Sequence, residues 1–470
     1  MKFLDRQVEI GRLDRLVERK AAGLVALWGR RRVGKTRLLS QWCARHGGVY
    51  TVADESAETV QRRYFAEAVS GKLPGFKDVE YPDWQALLRR LSADARSAGW
   101  KGPVVFDEFP YLVLSSPSLP SVLQNWVDRE ASQNGLLVAI AGSSQGMMQG
   151  LVLDESAPLF GRATEAFPVL PLPAGWIGDA LGLLDVRSQL LAYAAWGGIP
   201  RYWELAEPFS DRVEDAIDNL VMDPTGPLHT EPDRLLREEI PSATALRPLL
   251  DVIGNGCHRL SEIAARVGVP ATSLSRAVSR LQDLGLVVRE IPYGESAKSS
   301  KRALYRIGDP FFALWFRVVA PHRGLLANAP LPVRRELWRA ARPALVSRVW
   351  EQLSRAAFPW IAGGGASGDG VRAWLPASRW WHGSAPEWDV VSASADGSIG
   401  AVAEVKWSEH PFDASALKPL IRNLVNRPLP PGLPGEIRRY AFVPVTAKDV
   451  SPVHEGIRIV TASEVFAALR

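Results

Sequence analysis

Through the first third of the chain, short apolar runs alternate with stretches in which apolar residues return every three or four positions. The runs at 24–28, 48–52, 103–106 and 136–141 have the length and composition of buried strands. Between them, 37–44 and 59–69 carry helical spacing, and 3–17 reads as a turn and then a helix, with Asp5 as its N-cap and Val8, Ile10, Leu13 and Leu16 on one face. Strands alternating with helices predict a parallel sheet and an α/β fold.

The pattern changes further on. From 176 to 239 helical periodicity dominates, punctuated by prolines. Three short helical segments follow, 245–254, 261–267 (capped by Ser261) and 272–284, and then two strands, 286–291 and 303–307, joined by a loop with Lys298, Lys301 and Arg302. That order is a winged helix. Leu274, Val278, Leu281 and Leu284 mark the buried face of its third helix, which leaves Ser273, Ser275, Arg276, Ser279 and Arg280 for phosphates or base edges. The aromatic run 310–316 predicts a helix docked between domains. In the last quarter, a helix at 344–357 precedes strands at 387–391 and 399–407 joined by an Asp396-Gly397 turn, and the glycine-rich patch 362–370 reads as a loop.

At 470 residues the chain is too long for one core. The boundaries expected are an α/β core at 1–172, a helical region at 173–240, a winged helix at 241–308, a connecting helical segment at 309–341 and a last domain at 342–470. With 47% hydrophobic and 23% charged residues, the composition is that of a globular protein, and a net charge of +5 permits a nucleic-acid partner without demanding one. Two cysteines with no paired spacing exclude a disulfide framework and a cysteine zinc site. With no signal-like N-terminus and no long apolar run, the expectation is a cytoplasmic protein without membrane association.

The chemistry concentrates in two places. After the first strand comes Gly29-Arg30-Arg31-Arg32-Val33-Gly34-Lys35-Thr36, followed by Arg37 at the start of a helix. Its glycines let the backbone curl so that successive N–H groups face phosphate oxygens. Lys35 then reaches the β- and γ-phosphates of ATP, and Thr36 ligates Mg²⁺. Asp107 ends a later strand where it can hold the same ion, and Glu108 can orient or deprotonate the attacking water. Ser143, at the end of another strand, is placed to sense the γ-phosphate, and Arg162, after Gly161, to stabilise charge in the transition state. If Arg162 acts across subunits, the protein is a homo-oligomer.

The second place is the last hairpin. Glu404 and Lys406 lie two apart on a strand and share a face, and pairing across the turn brings Asp389 to them. Carboxylates beside a lysine can bind Mg²⁺ and activate water against a phosphodiester.

The segments 29–36, 104–109, Gly142-Ser143-Ser144, 158–162 and Gly197-Gly198-Ile199-Pro200 together resemble the archaeal-type P-loop ATPases of archaea and bacteria, within the AAA+/STAND-like group. The resemblance implies ATP binding and hydrolysis, a helical lid and a winged helix. Asp389, Glu404 and Lys406 resemble a PD-(D/E)xK nuclease core, with Glu351 as the acid that a preceding helix contributes to the metal site. The C-terminal segment is similar to the nuclease-like (DUF234-type) domain fused to such ATPases. The cofactors expected are ATP and Mg²⁺, and the macromolecular partner double-stranded DNA. The function this implies is an ATPase coupled to a metal-dependent DNA nuclease, or else a regulatory ATPase whose C-terminal domain only binds.

Overall fold

A computed structural model describes residues 2–19, 23–210, 212–239, 243–296, 298, 301–363 and 373–470. The chain divides into two units, one of Asp5–Pro171 and one of Leu172–Arg470 with Met1–Leu4.

In the first unit, five strands form one parallel sheet: β1 (Gly23–Trp28), β2 (Val49–Val52), β3 (Val104–Asp107), β4 (Leu137–Gly142) and β5 (Ala163–Pro168), in the order β2-β3-β4-β1-β5. β1, β3 and β4 are buried along their whole length, which is why they read as continuous apolar runs rather than alternating ones. Helices Lys35–Arg45, Glu58–Ser70 and Trp84–Ala98 return the chain between strands. β1 and β3 lie on either side of β4, so their carboxyl ends deliver the phosphate loop and the Asp-Glu pair close together.

The first helix departs from expectation. It runs Gln7–Glu18, and Asp5 does not cap it: Asp5 and Arg6 both take positive φ, 57° and 71°. The turn carries the Arg6 guanidinium inward, where it donates to Val33 O at 2.9 Å and Leu170 O at 2.7 Å.

The second unit opens with the helices expected of the lid, among them Val186–Trp196 and Pro200–Ala206. The winged helix follows as Ala243–Gly254, Leu260–Val267 and Ala271–Asp283, with antiparallel β6 (Val287–Glu290) and β7 (Leu304–Ile307). Arg259, not Ser261, precedes the second of these helices, and the Glu262 side chain reaches back to its N–H. The aromatic run packs as expected: Phe311, Phe312, Trp315 and Phe316 are buried, Phe311 lies 4.7 Å from the Tyr202 ring, and Trp315 Nε1 donates to His229 O at 2.6 Å.

Glu351 lies on one long helix, Leu331–Gly363, rather than on the shorter 344–357. The loop expected at 362–370 lies outside the described residues from 364 on. The last sheet orders β8 (Ser378–Trp380), β9 (Trp388–Ala393), β10 (Ile399–Val405), β11 (Glu436–Val443), β12 (Val453–His454) and β13 (Ile457–Thr461) as β12-β13-β11-β10-β9-β8. β9 and β10 form the antiparallel hairpin, and β10 runs parallel to β11 on its other side.

Candidate functional site

The phosphate loop leaves β1 at Gly29, where a side chain cannot fit: a Cβ would stand 2.4 Å from Val169 O. Gly34 closes the loop at φ 100°, and Arg32 also takes a positive φ, 68°. Arg30, Val33 and Lys35 are buried, Arg31, Gly34 and Arg37 partly so, and Thr36 is exposed at the first turn of the helix. Lys35 Nζ donates to Gly29 O at 2.8 Å and to Ser143 Oγ at 2.9 Å, so a loop carbonyl and the hydroxyl just beyond β4 hold the ammonium.

Asp107 is fully buried. Its Oδ2 accepts from Thr36 Oγ1 at 2.7 Å and from the Tyr50 hydroxyl at 2.5 Å, and its Oδ1 from the Glu108 N–H at 2.9 Å. Burial, with the Asp107 carboxylate adding to it, pushes the Tyr50 hydroxyl above the ordinary phenol range, so Tyr50 remains a donor. Glu108 sits in the left-handed region, at φ 52° and ψ 42°. For a residue with a Cβ this costs on the order of 1–3 kcal/mol, and such strain clusters at functional sites. Here it turns the carboxylate onto Ser143, whose N–H donates at 3.0 Å and whose Oγ donates at 2.5 Å. Lys35, Thr36, Asp107, Glu108 and Ser143 are thus brought together. A hydroxyl and a carboxylate in contact at the loop's end offer the hard oxygens Mg²⁺ takes.

Arg162 is placed otherwise. Its Nε pairs with Asp128 at 3.0 Å and its Nη1 donates to Pro158 O and Phe160 O, so its guanidinium is engaged within its own turn and with Asp128.

In the C-terminal sheet, β9–β10 pairing sets Val390 opposite Ala403, which puts Asp389 next to Glu404. Asp389 Oδ2 accepts the Val405 N–H at 2.9 Å. Burial pushes the Asp389 carboxyl up to about 7, and the Glu351 and Glu404 carboxylates add to the shift. Glu404 is buried, with Oε1 2.6 Å from Lys406 Nζ and Oε2 2.5 Å from Arg427 Nη1. Arg427 also stacks over Trp388, 4.8 Å from the ring centre. Glu351 stands 3.8 Å from Arg355 and lines a cleft with Arg348 and Arg379.

Asp389, Glu404 and Lys406 therefore converge as the hairpin implied, while both oxygens of Glu404 are held by cations. Among the described residues, no three His, Cys, Asp or Glu stand together as a metal-holding group. As placed, these acids do not fit a divalent ion, and the expected metal set Asp389, Glu404 and Glu351 is not assembled. The physical reason is Arg427, which supplies Glu404 with the positive charge that an ion would otherwise bring.

Arg6, Tyr50 and Arg427 escaped the sequence reading. Tyr50 carried a faint signal, an aromatic with a polar tip on the strand beside β3. Arg6 and Arg427 act across 27 and 23 positions of sequence, and no motif marks either.

These features define an ATPase domain of the P-loop class: residues 3–173 match the family described as an ATPase domain predominantly from Archaea. With that domain comes ATP binding. Residues 315–417 match archaeal and bacterial proteins of unknown function, and residues 253–290 match the IclR helix-turn-helix domain. The chain is similar to an uncharacterized protein of Methanocaldococcus jannaschii, 25% identical over 442 residues, covering 94% of this chain and 95% of that one. It also resembles the solved Walker-type ATPase of Pyrococcus abyssi, with a TM-score of 0.53 at 20% identity, covering 67% of this chain and 96% of that one, a likeness of fold. Among the described residues, no helix is long and apolar enough to cross a membrane.

Proposed function

We propose that this protein hydrolyses ATP and uses its nucleotide state to set the affinity of its winged helix for double-stranded DNA, with a C-terminal domain that binds without cutting. The observation that carries the first half is the contact of Thr36 with Asp107, flanked by Lys35 and a Glu108 turned onto Ser143.

In this reading the loop N–H groups from Gly29 to Thr36, with Arg30, Arg31, Arg32, Val33 and Arg37 around them, bind the phosphates. Lys35 leaves Ser143 for a phosphate oxygen, and Ser143 remains beside Glu108 to register it. Mg²⁺, held through Thr36 and Asp107, would supply charge neutralisation at the β- and γ-phosphates. Glu108 orients water and accepts its proton. Arg162 serves only after parting from Asp128, as it would in a homo-oligomer.

DNA is supported by the face of helix Ala271–Asp283, where Ser273, Ser275, Arg276, Ser279 and Arg280 are exposed while Leu274, Val278 and Leu281 are buried. The second reading, a metal-dependent nuclease, rests on the convergence of Asp389, Glu404 and Lys406, and needs Arg427 to withdraw.

One experiment separates the readings: ATP hydrolysis and cleavage of supercoiled DNA with Mg²⁺ or Mn²⁺, for wild type, Lys35→Ala and Glu404→Ala. The proposal expects hydrolysis that Lys35→Ala abolishes, and intact DNA throughout. Cleavage that disappears in Glu404→Ala would establish the nuclease instead.

A further inference from the structure

Between the winged helix, the connecting helices and the C-terminal sheet lies a cleft of about 290 Å³ that the ATP site does not use and that borders the acidic hairpin through Glu351. Its wall carries Arg306 from β7, Arg317 from the connecting segment, Arg348 and Glu351 from the long helix, Arg379 from β8, and His258. Four guanidiniums thus face one carboxylate.

The neighbouring charges restore the balance only in part: Arg379 also pairs with Glu387 at 2.7 Å, whereas no carboxylate stands within ion-pair reach of Arg317 or Arg348 among the described residues. Glu290, behind the wall, is already shared among Arg306 at 2.9 Å, Arg379 at 3.2 Å and Arg355 at 3.7 Å. Burial, opposed by these guanidiniums, leaves its carboxyl below the usual range. Arg348 donates to Ile307 O, a neutral partner, and burial with Arg306 nearby draws its guanidinium down to about 10. His258 contributes no charge: burial, with Arg306 adding, lowers its imidazole to about 4. Arg317 is exposed at the mouth, beside Gly256, and has no hydrogen-bonded or ion-paired partner among the described residues. Half-buried cations in excess call for an anion, because removing charge from water is costly unless it is paired. Guanidinium forks match the oxygens of a phosphate two at a time.

We propose that this cleft binds a phosphomonoester or pyrophosphate group, and that the bound group ties the winged helix to the C-terminal sheet. The phosphate belongs either to a small free ester or to the 5′ end of a nucleic acid. Binding draws together side chains from four separate elements, so it stabilises the second unit as a whole.

The test uses the full chain carrying Lys35→Ala, so that the phosphate loop does not compete, titrated calorimetrically with inorganic pyrophosphate. One equivalent should bind and raise the melting temperature. Arg317→Ala, a surface change at the mouth, should weaken binding about tenfold, the effect of losing one charge-assisted pair. Arg348→Met should weaken it further, with its melting curve reporting that the chain still folds, and Arg90→Ala, an exposed change on the first unit, should leave it unaltered. Absence of saturable binding, or binding indifferent to Arg317→Ala, overturns the proposal. Competition by a 5′-phosphorylated oligonucleotide, but not by its 5′-hydroxyl twin, would identify a nucleic-acid end as the source, and competition by neither would identify a free ester.

Discussion

Replacing Arg6 with Met should weaken ATP binding although Arg6 stands outside the phosphate-binding motif. Its guanidinium is 4% exposed and holds Val33 O at 2.9 Å, Leu170 O at 2.7 Å and Glu9 at 2.8 Å. A trans peptide is planar, so fixing the Val33 carbonyl also fixes the direction of the Gly34 N–H on the other side of the same unit. Hydrogen bonds from a charged group contribute about 1.5–3 kcal/mol each, and Met of similar length leaves both carbonyls without that donor. Stability should fall by about 3 kcal/mol. If half of that loss reaches the loop's geometry, ATP affinity falls about tenfold. Calorimetric titration of ATP into folded Arg6→Met measures this, with Arg6→Lys expected between the two because an ammonium can still reach one carbonyl. Wild-type affinity in a folded Arg6→Met protein would refute the idea that this contact preorganises the loop.

Two further outcomes follow from the second unit. His258 is neutral in the fold with its imidazole lowered to about 4, whereas the unfolded chain takes up a proton near pH 6.5. Stability is therefore complete above pH 6.5 and declines by about 2–3 kcal/mol as pH falls to 4. His258→Asn keeps a donor for Tyr305 O, and the difference between its denaturant midpoint and that of wild type, followed from pH 7 to 4, should close with acidification; a constant difference would contradict this. Glu404→Gln leaves Arg427, whose side chain is 7% exposed, beside a neutral partner and should cost about 3 kcal/mol by denaturant unfolding. The double substitution Glu404→Gln, Arg427→Met should recover most of that loss, and a double mutant as unstable as the single one would count against the ion pair.

Much of the architecture was written locally. Strand Val104–Asp107 is buried on both faces, so it stands out as an unbroken apolar run ending in acids, and the loop at 29–36 is a contiguous motif. Leu274, Val278 and Leu281 repeat at helical spacing because one face of that helix meets a core. What escaped was set by pairing between distant segments. The bend at Asp5 and Arg6 follows from carbonyls at Val33 and Leu170, invisible to any window around the first helix. Likewise, the convergence of Asp389 with Glu404 could be read from the hairpin turn, but Arg427 arrives from the end of helix Ala414–Asn426 and changes what the acids can do.

The most direct test of the proposed switch is the affinity of the full chain for a fluorescent DNA duplex, measured by anisotropy at fixed low salt with ATP on Glu108→Gln and with ADP on wild type. If nucleotide state is coupled to the winged helix, the two affinities differ about fivefold or more, and charge reversal at Arg276 and Arg280 removes binding in both states. Equal affinities with ATP and ADP would contradict the account.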